Sequence, residues 1–136
     1  MMQQLAKHEA GEFLKRFGFF GDCLLRKVEI VYESGPSRSV SVWIEARDYA
    51  EKEREVWVCV HLTIRGVGDF CFADRAKETN VVLTFGVHIL WSENCIGLDF
   101  SHFADQPESV EELLSSKVFA IGNTLEWQVE SYPFKS

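Results

Sequence analysis

The sequence predicts an α+β fold: an N-terminal helix packs on a curved, mostly antiparallel sheet or partial barrel of about six to seven strands, with a short helix before the last strand. Three observations predict it. Helical spacing of apolar residues occurs near the N-terminus, period-two alternation fills most of the remaining chain, and polar or glycine-containing turns separate the alternating runs. Residues 1–136 are predicted to form one domain, because the length is close to the commonest domain size and no linker interrupts it.

The first element is a helix over about residues 6–17. Its apolar residues recur three and four positions apart, namely Ala6, Ala10, Phe13, Leu14 and Phe17. Lys15 and Arg16 suit its C-terminal end, and Gly18 follows as a stop signal.

The rest of the chain is mostly predicted strand. The alternating runs lie at 23–33, 39–47, 56–65, 69–73, 81–91 and 96–100, and a last strand runs from about 117 to 131. The inward faces are aliphatic: Leu24, Val28, Ile30 and Tyr32 in the first run, Val40, Val42, Ile44 and Ala46 in the second, Val56, Val58, Val60, Leu62 and Ile64 in the third. A hairpin at Gly66-Val67-Gly68 would pair Ile64 with Phe70 and place Thr63 opposite Cys71.

The stretch FGVHILWSENCIGLDF, residues 85–100, predicts a second hairpin with a defined register. Either a two-residue or a four-residue loop places Trp91 opposite Ile96, Ile89 opposite Leu98 and Val87 opposite Phe100. His88 then faces Asp99. Further along, Ser109 and Glu112 have capping-box spacing, and Pro107 suits the first turn of a short helix over 105–116.

Composition narrows the classes of function. The formal net charge is −7, which argues against nucleic-acid binding, since that needs clustered Lys and Arg, and is compatible with a basic protein partner. The N-terminus is charged throughout, and no apolar run approaches the ~18 residues of a transmembrane helix, so we expect a cytoplasmic protein without membrane contact. The four cysteines are widely spaced and are expected to be free thiols.

The outward-facing residues are the candidate binding site, because they are not simply polar. Tryptophan is costly to leave in water, so we expect at least part of this second face to be covered by the N-terminal helix, by a second copy of the chain, or by a partner or ligand. The candidate binding residues on it are Trp43, Glu45, Trp57, His61, His88 and Asp99.

No metal, cofactor or catalytic site is predicted. Cys59, His61 and Cys71 cannot surround one ion, since Cys59 lies ~13 Å along the strand from the position opposite Cys71. A carboxylate opposite an imidazole, as at His88 and Asp99, is half of a nucleophilic apparatus, but no G-x-S-x-G turn or phosphate-binding glycine loop accompanies it. The pair is therefore interpreted as a routine cross-strand contact.

Phe20-Gly21-Asp22 followed by CLLRKVEI resembles the opening of certain small bacterial β-rich proteins, in which an aromatic-His-Asp triplet precedes the first strand. That group includes immunity proteins that neutralise a partner toxin. Phe20 and Asp22 match the triplet, whereas Gly21 stands where the histidine would be, so no role of that histidine is carried over. From the residues alone, Asp22 is interpreted as a turn residue whose side chain bonds nearby backbone amides.

These observations favour a non-enzymatic protein-binding domain, of immunity type if the resemblance holds, that uses an acidic surface or the Trp-containing second face. The first alternative is a small-molecule-binding domain or enzyme with a pocket between helix and sheet, using His61, His88 and Asp99. The second alternative is a homodimeric scaffold.

Overall fold

The structure, a computed structural model, describes residues 2–35, 37–50, 56–73 and 82–130. Of these residues, 53% lie in strands and 15% in helices. The strands are β1 (Gln3–Gln4), β2 (Cys23–Tyr32), β3 (Arg38–Arg47), β4 (Trp57–Val67), β5 (Asp69–Phe72), β6 (Val82–Leu83), β7 (Val87–Trp91), β8 (Ile96–Phe100), β9 (Val118–Gly122) and β10 (Thr124–Glu130); the helices are α1 (Ala10–Arg16) and α2 (Val110–Leu113), with 3₁₀ turns at Lys7–Glu9 and Gly18–Phe20.

The strands form two antiparallel sheets. The larger has the order β1-β10-β4-β3-β2-β6 and the smaller has the order β5-β9-β8-β7. The predicted α+β fold, with a helix packed on one curved sheet or partial barrel, is therefore wrong: the described chain is mostly β, in two sheets, and does not close into a barrel. The predicted helix over about residues 6–17 is too long at its N-terminal end, because Lys7–Glu9 form a 3₁₀ turn and α1 spans only the seven residues Ala10–Arg16. The helix ends before Gly18, as predicted, and the backbone turns left-handed there, with φ +60°.

The two sheets are joined at a corner where neighbouring strands change sheet together. The predicted hairpin at Gly66-Val67-Gly68 is wrong, since β4 pairs with β3 and β10 whereas β5 pairs with β9. The predicted last strand divides at the same corner into β9 and β10. Gly122 allows the close approach, because a Cβ there would lie 2.6 Å from the Arg65 carbonyl oxygen. The Asn123 amide donates to that oxygen at 2.7 Å.

The core lies between the sheets and follows the predicted alternation in most strands. Inward residues of β3 and β4 are buried, and the register of the β7–β8 hairpin is confirmed, with Val87 opposite Phe100 and Trp91 opposite Ile96. In β2 a register shift between Leu25 and Lys27 changes the inward set: Cys23 and Leu25 are buried, and Tyr32 is exposed. Fully burying one such side chain stabilises the fold by roughly 1.5–3 kcal/mol.

Segment 101–116 covers the outer side of the smaller sheet. It begins after β8 and contains α2, whose start is capped as predicted by a hydrogen bond of 3.1 Å from the Glu112 amide to the Ser109 hydroxyl. Leu113 is fully buried against Phe119 and Ile121 of β9. The smaller sheet is thus packed on both faces.

The N-terminal segment packs at one end of the molecule. Phe13 and Phe17 pack against Trp127 of β10, with ring centroids 4.9 and 6.1 Å apart. The Arg16 guanidinium binds the Asp48 carboxylate through two hydrogen bonds of 2.9 and 2.8 Å, which ties α1 to the end of β3.

Candidate functional site

Four of the six predicted binding residues lie on one surface, the outer face of the larger sheet. Trp43 pairs with His61 across β3 and β4, Glu45 pairs with Cys59, and Arg47 pairs with Trp57. Their side chains point away from the core, because they alternate with the buried inward residues. This grouping agrees with the alternation in the sequence.

A stacked Trp43–His61 pair forms the centre of the outer face. The ring centroids are 4.1 Å apart with an interplanar angle of 16°. Glu130 on β10 holds both rings: its two carboxylate oxygens lie 3.2 Å from Trp43 Nε1 and 3.2 Å from His61 Nδ1. Lys27, on β2, places its ammonium group 4.6 Å from the centroid of the Trp43 ring. The network spans four strands and fixes the orientation of both rings.

The histidine continues this network to two hydroxyl groups. His61 Nε2 lies 3.1 Å from Thr63 Oγ1, which lies 2.7 Å from Ser41 Oγ. A carboxylate, an imidazole and a hydroxyl in sequence are the groups of a hydrolytic triad. However, Thr63 is only 4% exposed, and its strand, β4, is paired on both sides. The backbone N–H groups around Thr63 therefore bond to neighbouring strands and do not form an oxyanion hole. This arrangement can orient a surface but lacks an accessible nucleophile.

Glu45 and Cys59 lie beneath longer side chains of the same face and are both buried. The Arg26 guanidinium lies 3.0 Å from Glu45 Oε1, an ion-pair distance without hydrogen-bond alignment. Burial raises the pKa of the Cys59 thiol to about 11, and the Glu130 and Glu45 carboxylates add to the shift. Cys59 therefore remains a neutral thiol at physiological pH and is a poor nucleophile.

The other two predicted residues, His88 and Asp99, lie in the smaller sheet and not on the face with Trp57 and His61. They stand opposite each other, as predicted, but each bonds to the segment 101–116. Asp99 is fully buried and accepts hydrogen bonds from the Ser116 hydroxyl at 2.7 Å and from the Phe103 amide at 3.1 Å. His88 Nε2 donates to the Phe103 carbonyl at 3.0 Å. The pair therefore holds a loop in place.

A third surface, which the sequence did not predict, adjoins the outer face at Trp57, and we call it the aromatic end. It consists of the exposed side chains Phe19, Tyr49, Trp57, Val82 and Phe85. They are gathered around the turn before β2: a Cβ at Gly18 would lie 2.8 Å from the Tyr49 ring, and one at Gly86 would lie 2.1 Å from the Phe19 carbonyl oxygen. The Asp22 amide donates to the Leu83 carbonyl at 2.8 Å. Residues far apart in sequence thus meet at one end.

Backbone strain is concentrated in this turn. Phe19, Phe20 and Asp22 have φ values of 57°, 59° and 60°, a region that costs roughly 1–2 kcal/mol for a side chain other than glycine. Phe20 is completely buried in the aromatic core, which offsets its cost, whereas Phe19 is 54% exposed. The strained turn therefore presents an aromatic ring to solvent. The glycines that flank Phe19-Phe20 were the available signal in the sequence.

A cavity of about 210 Å³ opens beside the strained turn, lined by Phe17, Gly18, Gly21, Asp22, Cys23, Arg47, Tyr49 and Trp57. In the described ranges the Asp22 carboxylate has no hydrogen bond or ion pair, so its predicted bonding to nearby amides is not observed. Burial raises the pKa of the Cys23 thiol to about 11. The cavity thus combines charged groups with aromatic walls and an unreactive thiol.

No family model, curated protein or solved structure matches this chain. Within the described residues, no group of three His, Cys, Asp or Glu side chains is arranged to hold a metal ion. None of the helices in those ranges has both the length and the apolar character that crossing a membrane requires.

Proposed function

We propose that the protein is a non-enzymatic binding domain that docks on a protein partner through the aromatic end. One observation carries the proposal: five of the nine large hydrophobic side chains that are exposed in the described ranges lie at this one end. Exposed apolar groups that are contiguous, and aromatic ones above all, are typical of protein interfaces.

The strained turn supports the same proposal. Holding Phe19 in a left-handed conformation costs free energy, and burial of its ring, which is 54% exposed, offsets this cost only in part. Strain of this kind is typical of residues that are positioned in advance for binding. A preorganised aromatic side chain loses little entropy when a partner covers it, and thus serves well as an anchor.

Charge favours a basic partner. The formal net charge is −7, and four exposed carboxylate residues lie on segment 101–116, namely Asp105, Glu108, Glu111 and Glu112. A field of one sign speeds the approach of an oppositely charged protein without fixing the docked geometry. We assign the long-range attraction of a basic partner to the negative charge of the protein, and the specific contacts in the complex to the aromatic end.

The immunity-type role is the finer form of this proposal. The two residues that resemble the immunity-type opening, Phe20 and Asp22, both belong to the strained turn. Phe20 packs beneath it and Asp22 lines the cavity. The partner would then be a toxin that the chain neutralises by covering a surface of it.

The test compares exposed aromatic residues at two places. Phe85→Ser and Phe19→Asn remove rings from the aromatic end, and Asn tolerates the left-handed backbone at position 19. Tyr32→Ser removes a ring that is 70% exposed at the far end of β2 and serves as the matched control. Each tagged variant is crosslinked in its native cells, captured and quantified, and the captured protein is then titrated in purified form by calorimetry.

We expect the wild type and Tyr32→Ser to capture the same protein, and Phe85→Ser and Phe19→Asn to bind it at least about tenfold more weakly. Equal capture by all four chains would refute docking at this end. Dimerisation of the wild type in sedimentation velocity, lost in Phe85→Ser, would assign the end to a second copy instead. The immunity role additionally requires that the captured protein is toxic alone and harmless when coexpressed with this chain.

A further inference from the structure

Left-handed backbone is concentrated around the aromatic end. In the described part of the chain four residues other than glycine have a positive φ, namely Phe19, Phe20, Asp22 and Ser101. The first three belong to the strained turn before β2, and the fourth directly follows β8, with φ +69°. Because Ser101 bonds to Phe85, all four of these residues lie at the same end of the molecule.

Ser101 holds the backbone of Phe85 in place. The Phe85 amide donates to the Ser101 hydroxyl at 2.7 Å. The next amide, that of Gly86, donates to the Leu83 carbonyl at 3.0 Å and closes the turn between β6 and β7. Phe85 is 49% exposed, so the direction of its ring depends on these backbone contacts more than on burial.

Stability alone does not account for a serine at position 101. Glycine adopts a left-handed φ without steric cost, whereas a residue with a Cβ is strained there. The net contribution of one hydrogen bond is no larger than this strain. The Ser101 hydroxyl therefore offsets the strain without adding stability, and its effect is on the position of Phe85.

The turn that contains Phe85 also contacts the turn that contains Phe19. The Leu83 carbonyl accepts hydrogen bonds from the amides of both Asp22 and Gly86, at 2.8 and 3.0 Å. A Cβ at Gly86 would lie 2.1 Å from the Phe19 carbonyl oxygen. The backbones that carry these two exposed rings are therefore fixed relative to each other.

We infer that Ser101 is a positioning residue for partner binding: its hydroxyl fixes Phe85 in the direction in which the ring enters an apolar pocket of the partner protein. Ser101 acts through Phe85 and not through a contact of its own with the partner. The inference rests on the proposed function, since it takes the aromatic end as the docking surface. A ring on a fixed backbone loses less entropy on docking, so releasing the Phe85 backbone weakens binding.

The first experiment uses the isolated chain. Ser101→Gly removes the hydroxyl and keeps the left-handed backbone without strain. Ser109→Gly is the matched control, because the Ser109 hydroxyl also accepts a backbone amide, that of Glu112, at 3.1 Å on the same segment. Hydrogen exchange of the Phe85 amide is measured by NMR, and Tm by thermal unfolding.

We expect Ser101→Gly to speed exchange of the Phe85 amide about fivefold, the factor equivalent to one hydrogen bond, and to leave Tm close to that of the wild type. Ser109→Gly should leave exchange at Phe85 unchanged. Exchange unchanged in Ser101→Gly, or accelerated equally in both variants, would overturn the inference.

The second experiment is a double-mutant cycle, measured by calorimetry with the purified protein that the wild type captures. Ser101→Gly should bind it about fivefold more weakly than the wild type does, and Ser109→Gly should bind it equally well. Because Ser101 acts through Phe85, adding Ser101→Gly to Phe85→Ser should cause no further loss of affinity. Adding Ser101→Gly to Phe19→Asn should still weaken binding about fivefold.

The outcomes separate this inference from the proposed function. If Phe85→Ser binds weakly but Ser101→Gly binds as the wild type does, the inference is overturned and docking at the aromatic end stands. The same holds if Ser101→Gly causes an equal loss with and without Phe85→Ser. If the wild type captures no partner, or if Phe85→Ser binds as tightly as the wild type, the proposed function is refuted and the role of Ser101 in binding is refuted with it.

Discussion

Gly86 is the position where one methyl group should damage the aromatic end most. Its φ is +75°, and a Cβ there would lie 2.1 Å from the Phe19 carbonyl oxygen, where ordinary contacts begin at 3.4 Å. The obstacle is backbone, so no side-chain rotation relieves it. Gly86→Ala must therefore push the strained turn away from the segment before β7.

The cost follows from two contributions. Alanine in a left-handed conformation costs roughly 1–2 kcal/mol. Moving the turn also breaks the hydrogen bond of 2.8 Å from the Asp22 amide to the Leu83 carbonyl, worth about 1 kcal/mol. We expect Gly86→Ala to lower the free energy of unfolding by about 2–3 kcal/mol, which corresponds to a fall in Tm of roughly 10 °C.

Gly35→Ala is the matched control, measured beside Gly86→Ala by urea unfolding. Gly35 also has a positive φ, +88°, but a Cβ there has nothing within 4 Å. Its cost should be limited to the left-handed backbone, about 1–2 kcal/mol. If the two variants lose stability equally, the contact with Phe19 does not constrain the turn and the reasoning is refuted.

Three further predictions follow from buried or local contacts. Asp99→Asn replaces a carboxylate that accepts two hydrogen bonds by an amide, so urea unfolding should show a free energy of unfolding lower by about 2–3 kcal/mol. Binding at the aromatic end should be unchanged. Unchanged stability would contradict the structural role of Asp99. The Arg16 guanidinium lowers the pKa of Asp48, so this pair stabilises the fold above about pH 4 and progressively less below it. Asp48→Asn should therefore be less stable than wild type at neutral pH, and the difference in Tm should shrink when thermal unfolding is measured at acidic pH. Gly11→Ala, in α1 with no heavy atom near its Cβ, should raise stability by roughly 0.5–1 kcal/mol in the same urea assay, and a decrease would show strain there.

The local predictions that succeeded depend on neighbouring residues. The β7–β8 register follows from a short loop and from apolar pairs such as Val87 and Phe100. The outer-face grouping of Trp43 with His61 follows from alternation within β3 and β4. Such patterns are readable because a strand reverses its side chains at every residue.

The failed predictions concern which strands pair. Gly66 and Gly68 are compatible with a hairpin between β4 and β5 and equally with a chain that crosses from one sheet to the other, since a glycine permits both backbone paths. The choice depended on residues 118–130, which lie far later in the chain and pair with β5 and β4. The helix was also predicted too long, because helical spacing of apolar residues does not distinguish the 3₁₀ turn at Lys7–Glu9 from the first turn of an α-helix.

The sequence by itself determined which side of most strands faces the core, the hairpin that places His88 opposite Asp99, and the cap at Ser109. Only the tertiary structure decided that this pair holds a loop, that the chain forms two sheets, and that Phe19, Tyr49, Trp57 and Phe85 meet around a cavity. The physical reason is the range of the interactions. Period and turn chemistry act over a few residues, whereas the aromatic end exists because distant segments hold Phe19 in a backbone conformation that it would not adopt alone.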